Sequence, residues 1–133
     1  MKTNNIIQEK SFDFAIKIIH LYNYLINDKK EFVMSKQLLR SGTSIGANVE
    51  EAIGAQSSKD FIHKISISYK EARETNYWIK LLIATNYLSE EQKVNFNNDI
   101  EEICKILSSI QISFKRNNTN NQEFQIKISL ALV

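Results

Sequence analysis

The chain has 133 residues, of which 43% are hydrophobic and 24% charged, with a formal net charge of +2. That length suits one domain and is enough to bury a core, while so small a net charge does not by itself announce a nucleic-acid partner. Proline is absent, glycine occurs three times and Cys104 is the single cysteine, which removes the usual helix breakers, an internal disulfide and any cysteine zinc cluster. No run of about eighteen apolar residues is present to cross a bilayer. The N-terminus "MKTNNIIQEK" lacks the apolar core of a signal peptide, so no membrane partner is expected and the expected compartment is cytoplasmic.

Residues 11–27, "SFDFAIKIIHLYNYLIN", repeat apolar side chains at helical spacing. Phe12, Ala15, Ile19, Tyr22 and Ile26 form one line, with Phe14, Ile18, Leu21 and Leu25 beside it. So wide a stripe predicts a helix that touches two neighbours. "NDKKEF" reads as a loop, and a second helix is expected over 35–56. Ser57 with Asp60 forms a capping pattern that opens a third helix, reaching about residue 86 with Phe61, Ile65, Ala72, Ile79 and Ile83 inward. Ser89 with Gln92 repeats that pattern. The steps of four and three from Phe96 through Ile100, Ile103, Leu107 and Ile110 to Phe114 are the seam of a bundle helix.

Four such segments joined by short connections predict an all-α, antiparallel up-down-up-down four-helix bundle over residues 1–116. Residues 117–133 are expected to form a polar linker and an extended C-terminal tail. "RNNTNNQ" has no apolar period, and "EFQIKISLALV" alternates Phe124, Ile126, Ile128, Leu130 and Leu132 as a strand does. Such a tail has three readings: pairing with a symmetry mate, lying along the bundle, or a poorly ordered terminus.

The second segment contains "QLLRSGTSIGANVEEA", helical at its edges but packed with small residues in the middle. A glycine inside a helix costs about 1 kcal/mol relative to alanine, so something must press closely on it to offset that loss. On a helical wheel Leu38, Leu39, Gly42, Ile45, Gly46, Val49, Ala52 and Ile53 share the core face. The opposite face carries Arg40, Ser41, Thr43, Ser44, Ala47, Asn48 and Glu51 in place of the long charged residues of a solvated surface. These seven are the candidate assembly interface, against the plainer reading of a tolerant surface.

"KSFDFAIKIIHLY", "QLLRSGTSIGANVEEA" and "SKDFIHKISISYKEARETNYWIKLL" together resemble the four-helix-bundle proteins encoded by intervening sequences in bacterial 23S ribosomal RNA genes. Those proteins are relatives of the accessory variability protein of diversity-generating retroelements. The resemblance spans about residues 10 to 114, and Arg-Ser-x-x-Ser-Ile-x-x-Asn followed by Glu is its most specific part. It implies an antiparallel bundle assembled as a homopentamer, with nucleic-acid binding as in the retroelement relative. The tail from Asn117 onward departs from that pattern.

On the third segment Lys59, Lys70, Arg73, Tyr77 and Lys80 fall in one outward sector, with His63 near its edge. Cations around an aromatic can neutralise phosphates and offer a stacking face, which makes these five the candidate contacts for RNA or DNA. Glu71 and Glu74 oppose that reading, and a solvated face with lysine stems over apolar surface is its plain alternative. Enzymatic chemistry is not expected. His20 and His63 lie in no metal-binding frame, Cys104 has no activating base in a nearby motif, and "GTSIG" is not followed by the residues of a phosphate loop. No cofactor and no metal is expected. The alternative to nucleic-acid binding is a pure interaction scaffold that recruits a protein such as a reverse transcriptase. A second apolar stripe of Ile67, Trp78 and Leu81 would serve it.

Overall fold

The computed structural model describes residues 5–119, which form four α-helices: α1 (Ile6–Asn27), α2 (Met34–Ile53), α3 (Ser58–Ala84) and α4 (Glu90–Thr119). Three of them begin on a side-chain cap from the residue just before the helix. Asn5 accepts from the Gln8 N–H at 3.1 Å, Ser57 from the Asp60 N–H at 3.0 Å, and Ser89 with Gln92 closes a reciprocal capping box at 2.9 and 3.2 Å. The last helix continues past residue 116, so the expected boundary between bundle and linker falls inside it. Arg116 in the last turn suits the negative end of the helix dipole. The alternating segment after residue 120 lies outside the described residues.

Neighbouring helices run antiparallel around the ring α1–α2–α3–α4, as the cross-helix pairs show. Gly42 faces Ile18 and Gly46 faces Ser11 between α1 and α2. Ser68 reaches Ile45 and Thr75 reaches Ser41 between α2 and α3. Lys10 pairs with Glu102 and Lys17 with Asp99 between α1 and α4. The core takes Phe14, Phe61, Ile65, Ala72, Ile79, Ile100, Ile103 and Leu107 from the expected seams, whereas Ile83 and Phe114 are only half-buried and Leu82 fills the interior instead of Ile83.

The wide stripe of α1 divides. The line of Phe14, Ile18, Leu21 and Leu25 is buried, but the expected companion line is only partly covered: Ala15, Tyr22 and Ile26 are half-buried, while Phe12 is 65% and Ile19 44% exposed, with Ile16 beside them at 42%. The uncovered line lies on the flank towards α2, where Phe12 and Ala15 border a groove with Thr43, Gly46 and Ala47, residues too small to cover it. The opposite flank meets α4 through an edge-on contact between Phe14 and Phe96 at 6.2 Å and the ion pairs of Lys10 and Lys17.

The small residues of α2 are explained on two sides. A Cβ on Gly42 would lie 2.8 Å from both Cγ1 and Cγ2 of the fully buried Ile18, closer than carbon atoms can stand. A Cβ on Gly46 would meet the Ser11 carbonyl oxygen at 3.4 Å, an ordinary contact. Towards α3, Ser68 donates its hydroxyl to the Ile45 carbonyl at 2.8 Å, and the Ser41 and Thr75 hydroxyls meet at 3.0 Å. Among the described residues no buried side-chain polar atom is left without a partner, so these hydroxyls avoid the desolvation penalty of unpaired groups.

Ser41 is therefore fully buried inside the protomer and is not part of an outer assembly face. A wheel drawn for one neighbour misplaces it, because α2 has α1 on one flank and α3 on the other and buries more of its circumference than one stripe. Thr43, Ser44 and Asn48 bond back to carbonyls of their own helix, those of Leu39, Arg40 and Ser44 respectively. Such self-contained polar side chains keep the surface low.

Arg40 crosses to α3, where its guanidinium bonds Glu71 at 3.2 Å and also Glu74. Glu74 additionally accepts from the Trp78 indole N–H at 2.9 Å, and these two donors, the indole first, hold its carboxyl below the ordinary value. A depressed carboxyl stabilises the fold above the unfolded pKa and loses that contribution as pH falls through its own folded value.

Gly42→Ala should lower stability by about 1–3 kcal/mol through overpacking against Ile18. Gly46→Ala should be neutral or gain up to about 1 kcal/mol from helix propensity. Chemical denaturation of both variants checks the pair, and equal losses would contradict the asymmetry. Arg40→Gln should cost about 1 kcal/mol or less at neutral pH, since the pair is substantially exposed. The difference from wild type should shrink as pH drops below the ordinary carboxylate range. Unfolding curves across that range measure it, and a pH-independent difference would exclude the ion pair as the cause.

Candidate functional site

Positions three and four apart on α3 place Lys59, Lys70, Arg73, Tyr77 and Lys80 along its outer side, and all five are exposed. Their opposite side is anchored by Phe61, Ile65, Ala72 and Ile79 in the core, so the orientation of the row follows from packing. Tyr77 is 56% exposed and its ring stands edge-on to Trp78, with centroids 5.1 Å apart. Trp78 itself is half-buried and tied to Glu74. Ile67 and Leu81 are likewise half-buried, so the second apolar stripe is largely absorbed by the protomer.

The carboxylates that seemed to oppose phosphate binding lie off this row. Glu71 and Glu74 turn towards α2 and are held by Arg40. Lys64 is not a member of the row either. It pairs with Glu51 at 2.7 Å, a contact that raises its pKa. None of Lys59, Lys70, Arg73 and Lys80 makes a salt bridge among the described residues.

Beside the row, a groove of about 360 Å³ between α3 and α4 is lined by Tyr69, Arg73, Asn76, Lys80, Glu101, Cys104 and Lys105, over Ile100. Arg73 donates to the Tyr69 hydroxyl at 3.3 Å, and that bond raises the guanidinium pKa further. Three cations thus share the groove with one carboxylate, Glu101. Burial pushes the Cys104 thiol up, against the opposing influence of Arg73, which keeps it protonated and a poor nucleophile near neutral pH. Both histidines are exposed. Among the described residues no three His, Cys, Asp or Glu side chains come together as a metal site would need, and no helix is long and apolar enough to cross a membrane.

The candidate assembly residues are dispersed. Ser41 is in the core, Arg40 and Glu51 are engaged with α3, and Ser44 and Asn48 are half-buried. Ala47 is exposed and, with the half-buried Thr43, borders a largely apolar groove of about 220 Å³ between α1 and α2 that Phe12, Ala15 and Gly46 complete. The outward line of α1 adjoins it. Sequence reasoning placed that line in the core, because so wide a stripe suits two neighbours; no signal in the sequence separated the part that short α2 side chains leave open.

The profile of the family described as 23S rRNA-intervening sequence protein matches residues 3–109. Among solved structures, a protein from the S23 ribosomal protein family of Bacteroides thetaiotaomicron, described as having unknown function, is 55% identical to this chain. The match has a TM-score of 0.80 and covers 83% of this chain and 98% of that one. The comparison with curated proteins finds no match. The bundle, the family profile and a relative more than half identical over nearly its whole length agree, and the chain belongs to the 23S rRNA-intervening sequence protein family.

Proposed function

We propose that this chain is a non-enzymatic, oligomeric accessory protein that binds RNA or DNA through the outer row of α3 without strong sequence preference. The observation that carries the reading is the sorting of charge on that helix. Lys59, Lys70, Arg73 and Lys80 face outward without a carboxylate partner among the described residues, while Arg40 withdraws Glu71 and Glu74 to the other flank. Cations in a row neutralise phosphates, and Tyr77 adds an exposed ring. A single helix face with no element shaped to enter a groove favours backbone contact over base readout.

Self-association is the second part of the proposal, supported by Phe12, Ile16 and Ile19 standing exposed beside the α1–α2 groove. Apolar side chains gathered on one helix face mark an interaction surface. Several copies of a modest basic row then act together through effective concentration. The same surface also suits the scaffold reading, in which it receives a different protein such as a polymerase.

Lys70→Glu with Arg73→Glu should abolish binding to mixed-sequence RNA and DNA, and wild-type affinity should fall steeply with salt as counterion release requires. Fluorescence anisotropy at several salt concentrations tests this, with circular dichroism to show that the variant stays folded. Absence of wild-type binding at low salt would put the scaffold reading first. Separately, Ile16→Glu with Ala47→Arg should shift the light-scattering mass to that of a monomer while the helices remain, because an interface cannot take unpaired charges cheaply. An unchanged mass would remove this surface from assembly.

A further inference from the structure

The connection between α1 and α2, residues 28–33, is held as firmly as the helices it joins. Asp28 and Lys29 donate their N–H groups to the Tyr24 carbonyl at 2.9 and 3.3 Å, and Glu31 donates to the Leu25 carbonyl at 2.9 Å. The Glu31 side chain is buried and accepts from the backbone N–H groups of Val33, Met34 and Ser35 at 3.2, 3.0 and 2.7 Å. Ser35 returns a hydroxyl bond to the Glu31 carbonyl at 2.7 Å. One carboxylate thus satisfies most of the unpaired donors at the start of α2, so that helix end is already occupied and offers no anion site of its own.

This anchoring aims the two residues after Glu31 into water. Phe32 is 55% and Val33 75% exposed. Around them stand Lys30 and Lys36, both exposed, with Lys29 lying 5.9 Å over the Tyr24 ring and Asp28 as the one exposed carboxylate of the turn. Lys30 has a φ of 55°, in the left-handed region that glycine fills without strain. A lysine in that position keeps a charged side chain where the backbone alone would favour none.

We infer that this tip is a second nucleic-acid contact, specific for single strands. In it Phe32 stacks an unpaired base while Lys30 and Lys36 meet the flanking phosphates. The inference rests on the reading of the chain as a nucleic-acid binder but uses residues outside α3. Charge complementarity and size select the occupant. Two apolar side chains fall far short of the roughly 800 Å² per partner that a stable protein interface takes, whereas one exposed ring among cations matches one base between two phosphates. Preorganisation by Glu31 means that little ordering remains to be done on binding.

The test is anisotropy of a labelled oligouridylate and a labelled RNA duplex of matched length, titrated with wild type, Phe32→Leu, Phe32→Tyr and the pair Lys30→Gln with Lys36→Gln. Phe32→Leu should weaken oligouridylate binding about ten-fold while leaving the duplex unchanged, and Phe32→Tyr should bind like wild type. The lysine pair should flatten the salt dependence for the single strand. Equal binding by Phe32→Leu, equal losses on both probes, or no wild-type binding to oligouridylate would each overturn the inference. So would binding to phosphatidylserine vesicles that Phe32→Leu abolishes together with an unchanged oligouridylate affinity, which would assign the tip to a lipid surface. A Phe32-dependent single-strand signal that survives Lys70→Glu with Arg73→Glu, alongside intact duplex binding, would retire the α3 row and leave the tip standing.

Discussion

How near α1 and α3 can come to α2 governs this bundle. At Gly42 there is no room for even one carbon beyond the backbone, because Ile18 occupies it. On the other flank the approach is close enough for the Ser68 hydroxyl to reach a main-chain carbonyl of α2. Small side chains trade helix propensity for proximity, and buried aliphatic neighbours such as Ile18 and Ile45 turn that proximity into dispersion contacts. Because the hydroxyls on these faces find partners, α2 can be central to the fold without a uniformly apolar surface.

The same closeness organises charge. With α2 drawn against α3, Arg40 can span to two carboxylates of the neighbouring helix. Lys64 engages Glu51 across the same seam, and Lys10 and Lys17 engage Glu102 and Asp99 between α1 and α4. A chain whose formal net charge is only +2 can therefore present a side on which cations dominate. Net charge was a poor guide because it averages over groups that the fold separates.

Period and caps made the architecture legible: the Ser57 and Ser89 caps and the seams of α3 and α4, apart from their last members Ile83 and Phe114, stand where their spacing placed them. The outward row of α3 was legible for the same reason, since one well-determined inner face fixes the outer one. Ser41 was not, because a wheel carries no information on how many neighbours a helix has. The exposure of Phe12 and Ile19 was hidden for a related reason: whether a second apolar line is covered depends on the side chains that α2 sets against it, and those that border Phe12 are short. Arg40 and its carboxylates are 31 and 34 residues apart, a pairing that no local pattern encodes. Phe32 was visible as an apolar letter in a loop, but only the buried Glu31 carboxylate shows that the turn is held in one shape.

The seam between α1 and α4 joins positions as much as 92 residues apart, whereas the other seams join helices adjacent in sequence. Loop-closure entropy weighs most on that distant contact, whose described pairs include the Phe14–Phe96 rings and two surface ion pairs. The first three helices share the tight packing around α2, so they form the more cooperative unit, and α4 is the element whose amides would exchange first through sub-global opening. In such an opening the half-buried Cys104 beside Arg73 loses the cover of α3, and the part of its alkylation rate that exceeds the rate in the closed bundle would follow the population of molecules in which the ring of helices stands ajar.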